Sequence, residues 1–180
     1  ALHFMGGVLK HTPALMGLAA PSTNSYRRLV SGYEAPVAIC FSQATRSAVI
    51  RIPGYATDPN DRRFEFRPGD ASGNSYLTYA ALLMAGLDGI EKEIDPMEEG
   101  YGPIDKNIYD LTEEEQANLE FLPKDLEEAI DALEKDHEFL LKGDVFSKSL
   151  IKSWLESKKQ ECEYVYNRAT ADEYKLYFDV

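Results

Sequence analysis

The sequence has 180 residues, 44% apolar and 28% charged, with a formal net charge of −12. That length and balance suit one globular domain. The acidity excludes a general nucleic-acid binder, whose affinity rests on a net basic surface. Without a run of about 18 apolar residues, no membrane span is expected.

The chain opens directly in an apolar stretch, Ala1-Leu2-His3-Phe4-Met5, without the basic start and small-residue cleavage pattern of a signal peptide. It reads as cut from something longer. Residues 4–19 read as one largely buried helix, apolar on more than one face. Pro21-Ser22-Thr23-Asn24 breaks it, and Asn24 is placed to cap a short helical turn over 24–30. Residues 37–41, 48–52 and 64–67 read as strands. Asn74 or Ser75 caps a long helix over 76–90. The run 95–102 is acidic and loop-like. Thr112 and Glu115 have the spacing of a capping box, and residues 125–140 and 147–164 read as amphipathic helices. The tail 173–180 is expected as a strand or packed arm. Strands followed by helices give an α+β class, with the strands expected to be antiparallel.

The two cysteines, Cys40 and Cys162, form neither a metal spacing nor a disulfide framework, so a reducing cytoplasm is the expectation. His3, His11 and His137 are scattered and are expected to pack or face solvent rather than ligate.

Charge is unevenly placed. Seven of the eight arginines lie between residues 27 and 67, whereas 19 acids against four lysines fill residues 88–138. The densest basic stretch is Arg62-Arg63-Phe64-Glu65-Phe66-Arg67. In a strand, Arg63, Glu65 and Arg67 share one face while Phe64 and Phe66 point to a core. A salt-bridge ladder would explain the triad alone. Its company, Arg27, Arg28, Arg46 and Arg51 with Glu34, favours an anion site, because converging guanidiniums in excess of carboxylates need anions. The guanidinium fork binds carboxylate or phosphate through paired hydrogen bonds at any working pH. A carboxylate among them suits Mg²⁺, and arginines with a divalent ion are what phosphoryl transfer requires. No Gly-x-x-x-x-Gly-Lys-Ser/Thr loop is present, so a P-loop enzyme is excluded. The residues alone define an anion site, with nucleotide and metal as candidate occupants.

Four ordered motifs carry a resemblance to a known family. Asn24-Ser25-Tyr26-Arg27-Arg28-Leu29-Val30-Ser31-Gly32-Tyr33-Glu34-Ala35-Pro36-Val37 resembles the glutamine synthetase stretch that precedes the active-site flap. Thr45-Arg46-Ser47-Ala48-Val49-Ile50-Arg51-Ile52-Pro53 is similar to its ATP-site segment, and Arg63-Phe64-Glu65-Phe66-Arg67 to its metal and glutamate segment. Leu83-Met84-Ala85-Gly86-Leu87-Asp88-Gly89-Ile90 resembles the helix that follows. The resemblance runs from about residue 4 to the end and is to the type I family.

It implies that residues 1–180 are the C-terminal portion of a catalytic domain whose N-terminal β-grasp domain and upstream catalytic part are absent. The implied parent makes glutamine, in nitrogen metabolism, from glutamate, ammonia and ATP through γ-glutamyl phosphate, with Mg²⁺ or Mn²⁺. By the same resemblance, Arg28 and Arg67 hold glutamate and its γ-phosphoryl intermediate. Arg46 and Arg51 face the ATP phosphates, and Arg63 lies near the nucleotide. Glu65 is a metal ligand; Glu34 sits on the flap and helps deprotonate ammonium. Tyr109 resembles a tyrosine adenylylated in one bacterial subgroup. The family forms homo-oligomers, dodecamers whose C-terminal tail enters the opposite ring.

The sequence departs from the family at Ser31 and Ser75, where proline is usual, and at Asn60, where many members have lysine. The family's other metal carboxylates and its metal-binding histidine lie upstream, so the fragment alone is expected to be inactive. Two alternatives are a ligase of the same fold joining glutamate to an amine or polyamine, and a non-catalytic oligomerisation or regulatory module. Glu34 leans towards ammonia.

Overall fold

A computed structural model describes the chain apart from residues 31–34, 57, 59, 107, 113–115, 118 and 179–180, and apart from the side chain of Tyr109. The capping box proposed at Thr112 and Glu115 therefore lies partly outside the described residues.

The N-terminal helical segment is two helices, α1 (Leu2–Lys10) and α2 (Thr12–Ala19), rather than one. Pro13 lies in the first turn of α2 and has no N–H to return to the preceding turn, so the helix restarts at His11. A 3-10 turn, Ser25–Arg28, follows Asn24, whose side chain makes no cap hydrogen bond. Next come β1 (Ala38–Ser42), β2 (Ala48–Arg51) and β3 (Glu65–Phe66). Helix α3 (Ser75–Glu91) begins where Asn74 accepts hydrogen bonds from the Tyr76 and Leu77 amides.

Helix α4 (Leu126–Lys135), capped by Asp125, stops at Asp136, and a short α5 (Glu138–Leu141) follows; one helix had been expected there. Helix α6 (Lys148–Tyr166) is capped by Ser147. The tail is a helix, α7 (Ala171–Tyr177), not a strand or a packed arm. Thr170 and Glu173 form a reciprocal capping box that starts it, and all its residues are solvent-exposed.

The class is α+β, and the sheet is small and mixed. Its order is β1-β2-β3, with β2 and β3 antiparallel but β1 and β2 parallel, which corrects the all-antiparallel expectation. The parallel pair is possible because residues 43–47 make a compact return. The Ser42 hydroxyl accepts hydrogen bonds from the Ala44 and Thr45 amides at 3.1 and 2.8 Å and donates to Asp105.

Strand β1 is buried along its whole length. Ile39 and Phe41 enter the main core, while Ala38 and Cys40 enter a smaller one with Ile108. The main core joins α1 and α2 to α3, α4, α5 and α6 behind the sheet. Helices α1 and α3 touch backbone to backbone: a Cβ at Gly7 would lie 2.2 Å from the Ala85 carbonyl oxygen, and one at Gly89 equally close to the His3 carbonyl.

Candidate active site

Register places the charges. Arg51, at the end of β2, pairs in the ladder with Glu65 of β3, so their side chains share a face. Arg51 Nε lies 2.9 Å and its Nη2 2.8 Å from Glu65 Oε2. Arg63, on the same strand side, is only within 3.8 Å of the other carboxylate oxygen. The firm pair is thus across strands rather than along one. Arg63 instead donates to the Tyr55 hydroxyl at 2.6 Å and lies over the Tyr55 ring. Phe64 and Phe66 pack on the main core, as their alternation requires, with Phe64 tilted against Phe4.

Arg67 bends back on the β1–β2 return. Its amide donates to Val49, and its guanidinium donates to the backbone carbonyls of Arg46 and Ala48. The Ser42-anchored return thereby puts Arg46 beside the sheet end. Arg28 reaches in from the 3-10 turn and donates to the carbonyls of Pro68 and Gly69. Burial first, then the positive charges of Arg51, Arg46 and Arg28, push the Arg67 pKa down, while Glu65 opposes them. Arg51 and Arg63 thus reach Glu65, while Arg28, Arg46 and Arg51 gather near Arg67, so arginines from position 28 to position 67 are brought together around the Glu65–Arg67 segment.

Two members were missed from sequence. Tyr55 carries no signal beyond lying in a loop. Asp70, with no sequence signal of its own, lies beside Arg28 in a cavity of about 500 Å³ with Ser25 and Ser72. Burial raises its pKa, but hydrogen bonds from Ser25 and Ser72 and the charge of Arg28 outweigh that and hold it low. Glu34 lies outside the described residues. Tyr109 falls in the 3-10 turn Ile108–Asp110, and its side chain is likewise outside them.

Oxygen ligands suit a hard divalent ion, and Glu65 offers one: Oε2 is taken by Arg51, while Oε1 has only the long Arg63 contact. Among the described residues no group of three or more His, Cys, Asp or Glu could hold a metal. Glu65 fits as one ligand of a shared set, not as a complete site. No described helix is long and apolar enough to cross a membrane, and both cysteines are free and buried.

A cluster of guanidiniums around Glu65 and Arg67, on the edge of a small mixed sheet backed by helices, marks an α+β domain whose charged side chains suit oxyanions. Comparison with known proteins gives the family. The family described as "Glutamine synthetase, catalytic domain" matches residues 1–177. Glutamine synthetase of Streptomyces coelicolor is 49% identical over 181 residues, and that of Aquifex aeolicus is 50% identical over 180; each alignment covers 100% of this chain and 38% of the relative. The cryoEM structure of Plasmodium falciparum glutamine synthetase superposes with a TM-score of 0.80 at 28% identity, covering 98% of this chain and 41% of that one. The chain belongs to the glutamine synthetase catalytic-domain family, and it spans somewhat over a third of the length of these relatives.

Proposed function

We propose that residues 1–180 form the C-terminal part of the catalytic domain of an ATP-dependent glutamate–ammonia ligase. The reading rests on one observation, the clustering of five arginines around Glu65 and Arg67, with Arg51 and Arg63 on the carboxylate and Arg28, Arg46 and Arg51 close to Arg67. In the parent enzyme the γ-carboxylate of glutamate attacks the γ-phosphorus of ATP, and ADP leaves. Ammonia then attacks the acyl phosphate and phosphate leaves, giving glutamine.

Arg28 and Arg67 hold glutamate and the transferred phosphoryl group. Arg46 and Arg51 carry charge to the ATP phosphates, with Arg63 and Tyr55 at the nucleotide side. Guanidiniums fixed by backbone carbonyls, as at Arg28 and Arg67, need no reorganisation when charge develops on the moving group. Glu65 would hold Mg²⁺ or Mn²⁺ through one carboxylate oxygen, and the ion would offset the negative charge of the phosphates. Glu34 assists ammonium deprotonation under the flap, and Tyr109 is a candidate modification site. The parent works in the cytoplasm as a homo-oligomer, with the rest of the ligand set supplied from outside this stretch.

Arg46→Ala in the full-length enzyme tests this. It should lower kcat by about a hundred- to a thousandfold, the scale of losing one transition-state donor. The melting temperature should hold, because Arg67 binds the Arg46 backbone carbonyl, which alanine keeps. Near wild-type turnover would overturn the assignment.

A further inference from the structure

Beyond the arginine site, a cavity of about 470 Å³ opens where the C-terminal end of α6, the start of α7 and the segment before α4 meet the 3-10 turn Ser25–Arg28. Three cations line it: Arg27, Lys124 and Arg168. In a chain of net charge −12, no described carboxylate forms an ion pair with any of them.

Two carboxylates share the lining, but each is engaged by backbone. Asp125 accepts the Glu128 amide at 2.9 Å and Glu173 accepts the Thr170 amide, as helix caps do. Arg168 stacks its guanidinium face on the Tyr164 ring, 3.6 Å from the centroid. Stacking occupies the π face and leaves the in-plane donors of the fork available. Tyr166 adds a hydroxyl. Burial followed by the charge of Asp125 raises its pKa, so it stays a neutral donor.

We propose that this cavity binds a small, multiply charged oxyanion of the phosphate class, with Arg27, Lys124 and Arg168 as its cationic contacts and Tyr166 as a neutral donor. Two forks, one point charge and a hydroxyl match the several acceptor oxygens of a tetrahedral anion. Arg27 also lines the neighbouring cavity that holds Arg28 and Asp70, so this site adjoins the proposed substrate arginines without sharing them. The inference does not depend on the proposed reaction.

The test is calorimetric titration of inorganic phosphate into the full-length enzyme, run on the wild type, on Lys124→Gln/Arg168→Gln, on Lys124→Arg and on Arg46→Ala. One saturable phosphate event should persist in Arg46→Ala and in Lys124→Arg. In the double variant it should weaken by about tenfold or more, the loss expected for charge-assisted hydrogen bonds. Lys124 and Arg168 are exposed, so the melting temperature should stay unchanged and report an intact fold. Phosphate binding equal in wild type and double variant overturns the site. So does binding lost in Arg46→Ala alone, or no saturable event in the wild type.

Discussion

Asp88 shows how one buried carboxylate organises four helices. Its side chain is fully enclosed, yet it receives Lys142 and Lys92 at 2.8 Å and His11 at 3.0 Å. The other ring nitrogen of His11 lies 2.7 Å from Asp136, and its ring stacks on Phe139. The imidazole bridges two carboxylates, one ring nitrogen on each. His11 is thus neither a casual packing residue nor a surface one; it pins the α1–α2 restart to α3 and to the end of α4. Burial alone would raise the Asp88 pKa, but the hydrogen bonds from Lys142, Lys92 and His11 overturn that and hold it far below the carboxylate range. A depressed folded pKa gives stability that is complete above the unfolded value, about 4, and lost as pH falls through the folded one. Asp88→Asn should therefore cost about 3 kcal/mol at neutral pH. In urea unfolding, the gap to wild type should narrow progressively below about pH 4. A gap that stays constant down to about pH 2 would contradict this account.

At the scale of elements, the α1–α3 contact depends on glycine at the crossing. With the Ala85 carbonyl 2.2 Å from where a Cβ would sit at Gly7, the obstacle is backbone and cannot rotate away. Gly7→Ala should destabilise by about 3 kcal/mol, at the upper end of overpacking costs, as read by thermal unfolding. Gly54→Ala is the matched control: its nearest atom, the Gln43 side-chain oxygen, is 3.9 Å away, so it should change stability by no more than about 0.5 kcal/mol. Equal losses for the two would mean the helices part easily. The same contact carries the arginine site indirectly, since Phe4 of α1 supports Phe64, which precedes the Glu65 pairing.

Over the whole molecule, α3 has the surface of an internal element. Its large exposed positions are Tyr76, Tyr79, Leu83, Leu87 and Ile90, and its buried face is apolar apart from Asp88. A helix apolar on nearly every side is the pattern of one enclosed all round. That agrees with a chain spanning 38% of its relatives' length. Metal binding, as proposed, belongs to this scale too: Glu65 would supply one oxygen to Mg²⁺, which takes several oxygen ligands. Calorimetry of Mg²⁺-ATP on the 180-residue chain should accordingly give no tight binding, while the full-length enzyme binds; tight binding by the chain alone would show the site to be self-sufficient.

The sequence by itself determined the ingredients. Period-two alternation put Phe64 and Phe66 inside and the charges outside, and the Asn74-Ser75 capping signal marked the start of α3, because both signals are local. The four motifs fixed the family because side chains matched in order. What only the tertiary structure decided was partnership. Glu65 pairs with Arg51 across the ladder, β1 runs parallel to β2 through a return tied to the Ser42 hydroxyl, and His11 joins Asp88 to Asp136. The Glu65 pair and the His11 bridge depend on residues apart in the chain, whose meeting is set by register and helix packing, and the direction of β1 against β2 depends on the path of its return; no local pattern encodes these.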